Sequence, residues 1–301
     1  MMSDLLARYQ GCLLGLAAGD AVGTTVEFSP RESFTPVTDM VGGGPFHLKA
    51  GQWTDDTSMA LCLAHSLIAC KGFDATDQMN RYLNWWKWGY LSSTGTCFDI
   101  GMTVSSALRR FTLNGEPFAG SSDPRTAGNG SLMRLAPVVL WYYPDVPKAL
   151  EYAEASSRTT HAAPEALASC RLFAQMLINA LQGKSKSDTL TDIAQLPEQA
   201  NLRQIAEGHY RQKSRAEVFG TGYCVQSLEA ALWCFAHGES FEETILLATN
   251  LGDDADTTAA IAGQLAGAWY GVEGIPHRWR EKLWQCDEIA TLAGQLLSKS
   301  A

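Results

Sequence analysis

The sequence is poor in positive charge and has no long uncharged apolar run. Its 301 residues include 23 Lys and Arg against 32 Asp and Glu, which gives a formal net charge of −9. Broad binding to nucleic acid or to an anionic membrane needs basic surfaces, so this charge argues against both. No apolar run is long enough to cross a bilayer. Asp4 and Arg8 interrupt the N-terminal segment too early for a signal peptide.

Paired cysteine motifs are also absent. The eight cysteines include no CxxC pair and stand mostly within apolar runs, which is typical of buried thiols. This pattern indicates neither a zinc site nor a disulfide framework. We therefore predict a cytoplasmic, reduced protein without broad nucleic-acid or membrane partners, either a monomer or a small homo-oligomer.

The chain does contain apolar residues at helical spacing. Hydrophobic residues make up 46% and charged residues 18%, which is enough for one large core. Alternation with a period of two is scarce, and we assign no hairpin to the glycine-rich stretch 37–52. We predict an all-α orthogonal bundle that forms a single domain over residues 1–301. The predicted helical segments are 5–17, 59–70, 79–90, 163–182, 224–237, 241–249, 256–270 and 284–298.

Two further features complete the outline. The stretch 183–216 is the most polar, and it is predicted to form surface helices and loops rather than a linker between domains. The tryptophans Trp85, Trp86 and Trp88 are predicted to lie in the core, although an exposed surface facing a partner is the alternative.

Two short acidic clusters carry most of the functional information. Each brings hydroxyl and carboxylate oxygens together at the start of an apolar helical segment. Oxygen-only ligand sets suit Mg²⁺ or Mn²⁺. If the fold brings the clusters together, they could hold two metals and activate a water. The candidate metal ligands are Thr54, Asp55, Asp56, Asp254, Asp256 and Thr257.

Helix capping is the competing interpretation of both clusters. Thr54 could be an N-cap, and carboxylates near a helix start interact favourably with the helix dipole. Against capping, adjacent aspartates repel one another, and a cap needs only one of them. The segment after Asp256 is almost purely small and apolar, so it is predicted to be buried together with its acidic start. The residues alone leave both interpretations open.

Asp20 and Glu27 flank the glycine-rich stretch GDAVGTTVE. Its glycines Gly19 and Gly23 could let a ligand approach the backbone closely, and an ordinary junction between helix and loop is the alternative.

Two further glycine runs precede apolar segments. Backbone amides in such runs can cradle a phosphate at a helix start, whereas plain glycine turns are the alternative. Tyr223 could offer a stacking face or simple packing. His161, at the start of the long segment 163–182, could serve the site or only the structure. The candidate substrate-binding residues are Asp20, Gly128, Asn129, Gly130, Ser131, His161, Gly220, Thr221, Gly222 and Tyr223.

Taken together, these segments resemble the ADP-ribosylglycohydrolase family. The matching stretches occur in the family's order from residue 11 to 271, and the first, second and last are specific. They are GCLLGLAAGDAVGTTVEF, GQWTDDTSMAL, GTCFDIG, GNGSLMR, TTHAAPEAL, GTGYCVQSLEAAL and NLGDDADTTAAIAGQLAGAWYG.

The resemblance implies an all-α orthogonal bundle with two Mg²⁺ or Mn²⁺ ions. It also implies hydrolysis of the bond between ADP-ribose and an acceptor, most often a protein arginine. The six candidate ligands match the family's metal ligands, and Glu27 matches an acidic residue on a mobile loop near the scissile bond. Asp99 matches an acid close to the substrate ribose. Asp55, Asp56 and Glu27 are the candidates for the proton acceptor, and the sequence does not rank them.

The resemblance assigns the remaining candidates to the nucleotide. GNGSLMR matches the segment that wraps the ribose and phosphates, whereas His161 and Tyr223 match residues near the distal ribose and adenine. Two positions depart from the family: Asp253 replaces a glycine beside the second cluster, and Met102 stands where many members have a polar residue. Alternatives are another ADP-ribose linkage, to serine, an ester or nucleic acid, and a non-catalytic ADP-ribose-binding or crystallin-like structural protein.

Overall fold

The computed structural model describes residues 2–299. Within this range the chain forms fourteen α-helices joined by short 3₁₀ turns and loops, and it contains isolated β-bridges but no sheet. This confirms the all-α prediction. The helices are α1 (Met2–Gly23), α2 (Asp55–Cys70), α3 (Ala75–Trp88), α4 (Met102–Asn114), α5 (Ala136–Tyr142), α6 (Val146–Arg158), α7 (Pro164–Leu181), α8 (Lys186–Thr191), α9 (Ala200–Ala206), α10 (Cys224–His237), α11 (Phe241–Thr249), α12 (Ala255–Tyr270), α13 (His277–Lys282) and α14 (Cys286–Ser298).

Helices α1 and α12 pack with their backbones in direct contact. A Cβ added to Gly15 would lie 2.2 Å from the carbonyl oxygen of Gly263, and one added to Gly11 would lie 2.2 Å from that of Gly267. Only glycine lets two helices approach so closely. Gly19 continues the same contact against Ala259, and this pair of helices runs through the middle of the core.

This packing corrects the interpretation of the stretch GDAVGTTVE. Asp20 and Gly23 lie inside α1 rather than in a turn. A Cβ on Gly23 would lie 2.4 Å from the Cα of Asp256, so Gly19 and Gly23 serve the approach of α12 and not that of a ligand. The glycines thereby bring the end of α1 against the acidic start of α12.

Two other local predictions need adjustment. Helix α7 begins at Pro164, so His161 lies in the turn before it. The run 128–131 is followed by a turn and not by a helix start, because α5 begins only at Ala136. The stretch 37–52 forms no hairpin strands, as predicted, and contains one isolated antiparallel bridge, between Gly43 and Leu48.

A large core runs along α1, α2, α5, α7, α10, α12 and α14, and a smaller cluster packs α3 and α4 against α2. Trp85 lies in this smaller cluster at 1% exposure, whereas Trp86 is half-buried and Trp88 is 79% exposed. The core prediction for Trp88 is therefore wrong: the residue is the last of α3, where the helix turns away from the core.

The polar stretch 183–216 forms α8, α9 and two 3₁₀ turns, as predicted for surface helices and loops. All eight cysteines are free thiols; most are buried, but Cys70 is exposed. Within residues 2–299 no helix is long and apolar enough to span a membrane.

Candidate active site

The fold brings the two acidic clusters together at the starts of α2 and α12. The hydroxyl of Thr54 lies 3.2 Å from Asp56 Oδ2 and 3.3 Å from Asp256 Oδ2, a residue 202 positions away. The hydroxyl of Thr257 lies 3.5 Å from Asp56 Oδ2. Four of the six candidate ligands therefore form one cluster of oxygens, and Asp254 joins it through hydrogen bonds with Asp256 and Thr257.

Neither cluster caps its own helix. Thr54 and Asp254 occupy the N-cap positions of α2 and α12, yet neither side chain accepts a capping hydrogen bond. At α2 the carboxylate of Asp20 takes over this task from the neighbouring helix α1. Capping by Thr54 and Asp254, the competing interpretation of the sequence, is therefore wrong.

Asp20 is fully buried and organises the first cluster from behind. Its carboxylate accepts hydrogen bonds from the backbone N–H groups of Thr54 (2.9 Å) and Thr57 (3.0 Å). It also accepts from the two threonine hydroxyls, at 2.9 and 2.6 Å. Asp20 does not line the cavity described below, so its contacts favour holding the start of α2 over touching a substrate.

The cluster concentrates negative charge where water is scarce. Burial, together with the charges of Asp99 and the neighbouring Asp56, raises the pKa of Asp55 well above its ordinary value. Burial and nearby carboxylates likewise raise the pKa of Asp56 and Asp256. Burial also raises the pKa of Asp254, although a hydrogen bond from Asn129 opposes the shift. Such carboxylates need a proton or a cation as a partner.

The residues fit a divalent cation. Asp56 Oδ1 is buried and has no hydrogen-bond partner among the described residues. Carboxylate oxygens of Asp20, Asp56 and Asp256 all lie within 4.8 Å of one another, and so do those of a second group formed by Glu27, Asp99 and Asp256. Hard divalent cations prefer sets of oxygen ligands such as these.

Glu27 and Asp99 enter this arrangement from loops. Burial and the charge of Asp99 raise the pKa of Glu27 to about 10, and burial raises that of Asp99 to about 7. The backbone is left-handed at Asp99 (φ 60°) and at Phe28 and Asp253, which flank Glu27 and Asp254. A left-handed backbone is unfavourable for non-glycine residues and persists only where the surrounding structure holds it. Such residues are found clustered at functional sites.

Two backbone hydrogen bonds join the loops of Phe28 and Asp253. The N–H of Phe28 donates to the carbonyl of Asp253 at 2.8 Å, and the N–H of Asp253 donates to that of Ser29 at 2.9 Å. Asp253 lines the cavity but belongs to neither close group of carboxylates. Its backbone thus connects the Glu27 loop to the start of α12.

The clustered carboxylates open into a cavity of about 880 Å³. Asp55, Asp254 and Thr257 reach it, whereas Thr54, Asp56 and Asp256 lie behind them. Its lining residues are Glu27, Phe28, Asp55, Asp99, Ile100, Gly101, Met102, Thr103, Val104, Gly128, Asn129, Gly130, Met133, His161, Thr221, Gly222, Asp253, Asp254 and Thr257.

The two glycine runs meet at the cavity. The N–H of Asn129 donates to the carbonyl of Gly222 at 3.0 Å, and its side-chain amide donates to Asp254 Oδ2 at 2.7 Å. Asn129 thereby supports a candidate ligand as well as lining the cavity. Ser131 lies outside the lining, with its hydroxyl 2.7 Å from that of Ser157. Gly220 is also outside; a Cβ there would lie 2.4 Å from the hydroxyl of Thr258.

Tyr223 precedes α10 but does not line the cavity. Its hydroxyl donates to Glu165 at 2.6 Å and accepts from Asn201 at 3.0 Å. These two bonds fix the position of the Tyr223 hydroxyl outside the cavity lining. A stacking role for the Tyr223 ring stays a prediction. The hydroxyl of Thr221 donates to Gln226 at 2.7 Å while its residue reaches the cavity.

Several lining residues were not singled out from the sequence. Phe28 is 64% exposed and contacts Phe46 edge-on, and Phe46 in turn packs against Phe98. Met133 and Val104 add apolar lining. The only local signal was adjacency, since Phe28 follows Glu27 and Phe98 precedes Asp99.

The match of this chain to a family of glycohydrolase enzymes gives the fold and its acidic cavity a class. A family model described as ADP-ribosylglycohydrolase matches residues 1–301, and the chain belongs to this family. The resemblance inferred from the motifs is thereby confirmed.

Individual relatives are similar over nearly the whole chain. The ADP-ribosylarginine hydrolase Tri1 of Pseudomonas putida (strain GB-1) is 46% identical over 299 residues, which cover 98% of this chain and 79% of that protein. The ADP-ribosyl-[dinitrogen reductase] glycohydrolase of Rhodospirillum rubrum is 33% identical over 300 residues, covering 95% and 97%. A solved structure described as an ADP-ribosylglycohydrolase-related protein complex superposes with a TM-score of 0.86 at 43% identity, covering 99% and 100%.

Proposed function

We propose that this protein hydrolyses the N-glycosidic bond between ADP-ribose and an arginine side chain of a modified protein, with the help of two Mg²⁺ or Mn²⁺ ions. The observation that carries the proposal is the convergence of two acidic clusters, 202 residues apart, on one cavity. The similarity to a protein named ADP-ribosylarginine hydrolase supports the choice of acceptor.

The proposed metal ligands are the six residues of the two clusters, Thr54, Asp55, Asp56, Asp254, Asp256 and Thr257. When bound, the ions supply positive charge that polarises substrate oxygens and lowers the pKa of a water. The chain's part is to hold the ligands in place: Asp20 secures the start of α2, and the amide of Asn129 secures Asp254.

Glu27 is the proposed proton acceptor for the attacking water. Asp55 and Asp56 were equal candidates in the sequence, but as ligands they would have their oxygens engaged. Glu27 lines the cavity, lies outside the ligand set and sits beside Asp99 and Asp256. Nearby cations would lower its raised pKa and leave it ionised and able to accept a proton.

The same carboxylates would stabilise the sugar as its bond to nitrogen breaks. The anomeric carbon then gains oxocarbenium character, and the negative charges of Asp99 and Asp55 stabilise this developing positive charge. The leaving guanidinium is already cationic, so it departs as neutral guanidine without an acid to protonate it first.

The acceptor side chain would occupy the part of the cavity beside Phe28. This ring is exposed and lies next to Glu27, so an arginine can stack on it while facing a carboxylate. Guanidinium groups favour such aromatic faces.

The direct test is release of ADP-ribose from ADP-ribosyl-arginine, measured with Mg²⁺, after treatment with EDTA, and after Mg²⁺ is restored. We expect activity, its loss and its return. Parallel substrates carrying ADP-ribose on serine and through an ester should react more slowly. Full activity in EDTA would contradict the metal dependence, and a faster reaction of the serine substrate would contradict the arginine assignment.

Glu27→Ala separates catalysis from binding. We expect turnover to fall by about 10²-fold or more because the proton acceptor is gone, whereas ADP-ribose affinity changes little. The exposed Glu32→Ala, on the same loop, is the matched control. A large loss of affinity with unchanged turnover would assign Glu27 to binding instead.

A further inference from the structure

Arg134 is a buried cation without a carboxylate partner. Its side chain is 1% exposed, and within residues 2–299 it forms no ion pair. The guanidinium carbon lies 4.7 Å from the centre of the Tyr82 ring. A buried charge is costly unless hydrogen bonds satisfy it, so its hydrogen-bond partners should indicate why it is there.

The shortest of these bonds leads towards the cavity. Arg134 Nη2 lies 2.7 Å from the hydroxyl of Thr160, and that hydroxyl lies 2.8 Å from Nδ1 of His161. Arginine can only donate, so the Thr160 oxygen accepts. No other acceptor lies within hydrogen-bond distance of this hydroxyl in the described part of the chain, so its single proton goes to His161 and Nδ1 accepts. A neutral imidazole with Nδ1 as acceptor carries its proton on Nε2.

The Nε2 edge of His161 faces the glycine run at the cavity. A Cβ added to Gly128 would lie 3.3 Å from Nε2, and one added to Gly130 would lie 3.2 Å from it. The ring lines the cavity, and Nε2 has no hydrogen-bond partner in the described part of the chain. Burial and the nearby charge of Arg134 lower the pKa of His161 to about 3, so the ring is neutral at physiological pH.

We propose that Arg134 and Thr160 are positioning residues that fix His161 as a neutral hydrogen-bond donor, with its Nε2–H directed at an oxygen of the bound nucleotide. The acceptor is a phosphate oxygen or a ribose oxygen, because the lone pairs of either oxygen can accept a hydrogen bond from a neutral N–H group. The assignment excludes proton abstraction by Nε2. The identity of the ligand in this proposal rests on the proposed function, whereas the tautomer of His161 does not depend on that function.

The tautomer can be measured directly on the full chain with Mg²⁺ at pH 7. Long-range ¹H–¹⁵N correlation of the histidine side chains, with His161→Gln used to assign the signal, should show a neutral ring protonated at Nε2. A ring protonated at Nδ1, or a cationic ring, would overturn the proposal. Because no substrate is present, this result is independent of whether the protein hydrolyses ADP-ribosyl-arginine.

A matched pair at Thr160 tests the relay. Thr160→Val keeps the shape of the side chain and removes the hydroxyl, whereas Thr160→Ser keeps the hydroxyl. We expect Val to disturb the tautomer and to weaken ADP-ribose binding about five- to tenfold, the range of one neutral hydrogen bond. Ser should retain both properties. Wild-type tautomer and affinity in the Val variant would overturn the proposal. If Val does not fold, loss of the tautomer in the Ser variant would overturn it and retention would support it.

AMP as a second ligand locates the oxygen. A loss of affinity for both AMP and ADP-ribose in Thr160→Val supports the proposal and places the acceptor in the adenosine-phosphate half. A loss for ADP-ribose alone also supports it and places the acceptor in the distal half. Unchanged affinity for both ligands would overturn it.

Discussion

The cavity is bounded by two unlike sets of residues. The first, called here the acidic wall, consists of Thr54–Asp56 and Asp254–Thr257, which begin two core helices and are buried except for the half-buried Asp254. The second, called here the open wall, consists of Phe28 and 100–103, which lie on loops or at the start of α4. In it Phe28 is 64% exposed and Met102 is 87% exposed.

The two walls are held in place by different forces. The acidic wall inherits its geometry from backbone contact between α1 and α12, so changes there disturb the core itself. In the open wall, Phe28 and Met102 are largely exposed, so these two side chains can change at little cost to the fold. We infer that metal binding belongs to the acidic wall and that acceptor preference belongs to the open wall.

The largest expected effect is on the acidic wall. Asp256→Asn keeps the oxygen that accepts from the N–H of Thr257 but removes a negative charge from the proposed ligand set. Metal-dependent hydrolysis should fall at least about a hundredfold, since even indirect changes at metal sites cost 10- to 100-fold. Asp287→Asn, an exposed residue in the first turn of α14, should leave activity unchanged. Equal activity of the two variants would break the distinction between the walls.

Next in size is the support behind the acidic wall. Gly15→Ala forces a Cβ against Gly263 and should destabilise the protein by about 1–3 kcal/mol, seen as a lower melting temperature. Gly294→Ala in α14 is the control. Its Cβ would meet nothing closer than 3.8 Å, and alanine favours helix, so stability should hold or rise. Equal loss in both would show that close packing does not explain the Gly15 result.

The electrostatics of the acidic wall predict a pH-dependent response to metal. The pKa values of its buried carboxyls are raised in the folded protein, so their contribution to metal-free stability is full below about pH 4 and is lost as pH rises. Mg²⁺ binds the ionised groups and removes this penalty. The difference in melting temperature between Mg²⁺ and EDTA samples should therefore grow from pH 5 to pH 8, and it should shrink at every pH in Asp256→Asn. A difference that narrows with rising pH would contradict the assignment.

The smallest expected effect is on the open wall. Phe28→Leu keeps an apolar side chain but loses the aromatic face, so the KM for ADP-ribosyl-arginine should rise about two- to fivefold. Affinity for free ADP-ribose should not change. Leu113→Ala, an exposed residue that does not line the cavity, is the control. A matching loss of ADP-ribose affinity would place Phe28 at the nucleotide and not at the acceptor.

The sequence predicted the acidic wall far better than the open one, for a physical reason. Each acidic cluster is a short local run at the start of an apolar helix, and both properties are visible in neighbouring residues. The helices were predictable for the same reason, because their apolar spacing repeats within one turn.

What the sequence did not reveal depends on distant contacts. Asp20 serves Thr54, 34 residues away, and nothing near Asp20 indicates that partner. For Gly19 and Gly23 the sequence offered a ligand or an ordinary junction between helix and loop, because their true neighbour, α12, lies more than 230 positions further along the chain. Arg134 and His161 are joined through Thr160 only after two separate segments, one holding Arg134 and the other Thr160 and His161, fold together.

The glycine contact between α1 and α12 does not by itself determine the register in which the two helices pack. Gly11, Gly15 and Gly19 repeat every four residues and meet 267, 263 and 259, so a slide by one turn would again place small residues opposite one another. Such a slide moves α1 by about 5.4 Å, the pitch of a helix. Spacing alone does not forbid it, but the carboxylate of Asp20 would then leave Thr54 and Thr57 without a partner. The hydrogen bonds of Asp20 thus select, among the registers that glycine packing allows, the one register of α1 in which the site is assembled.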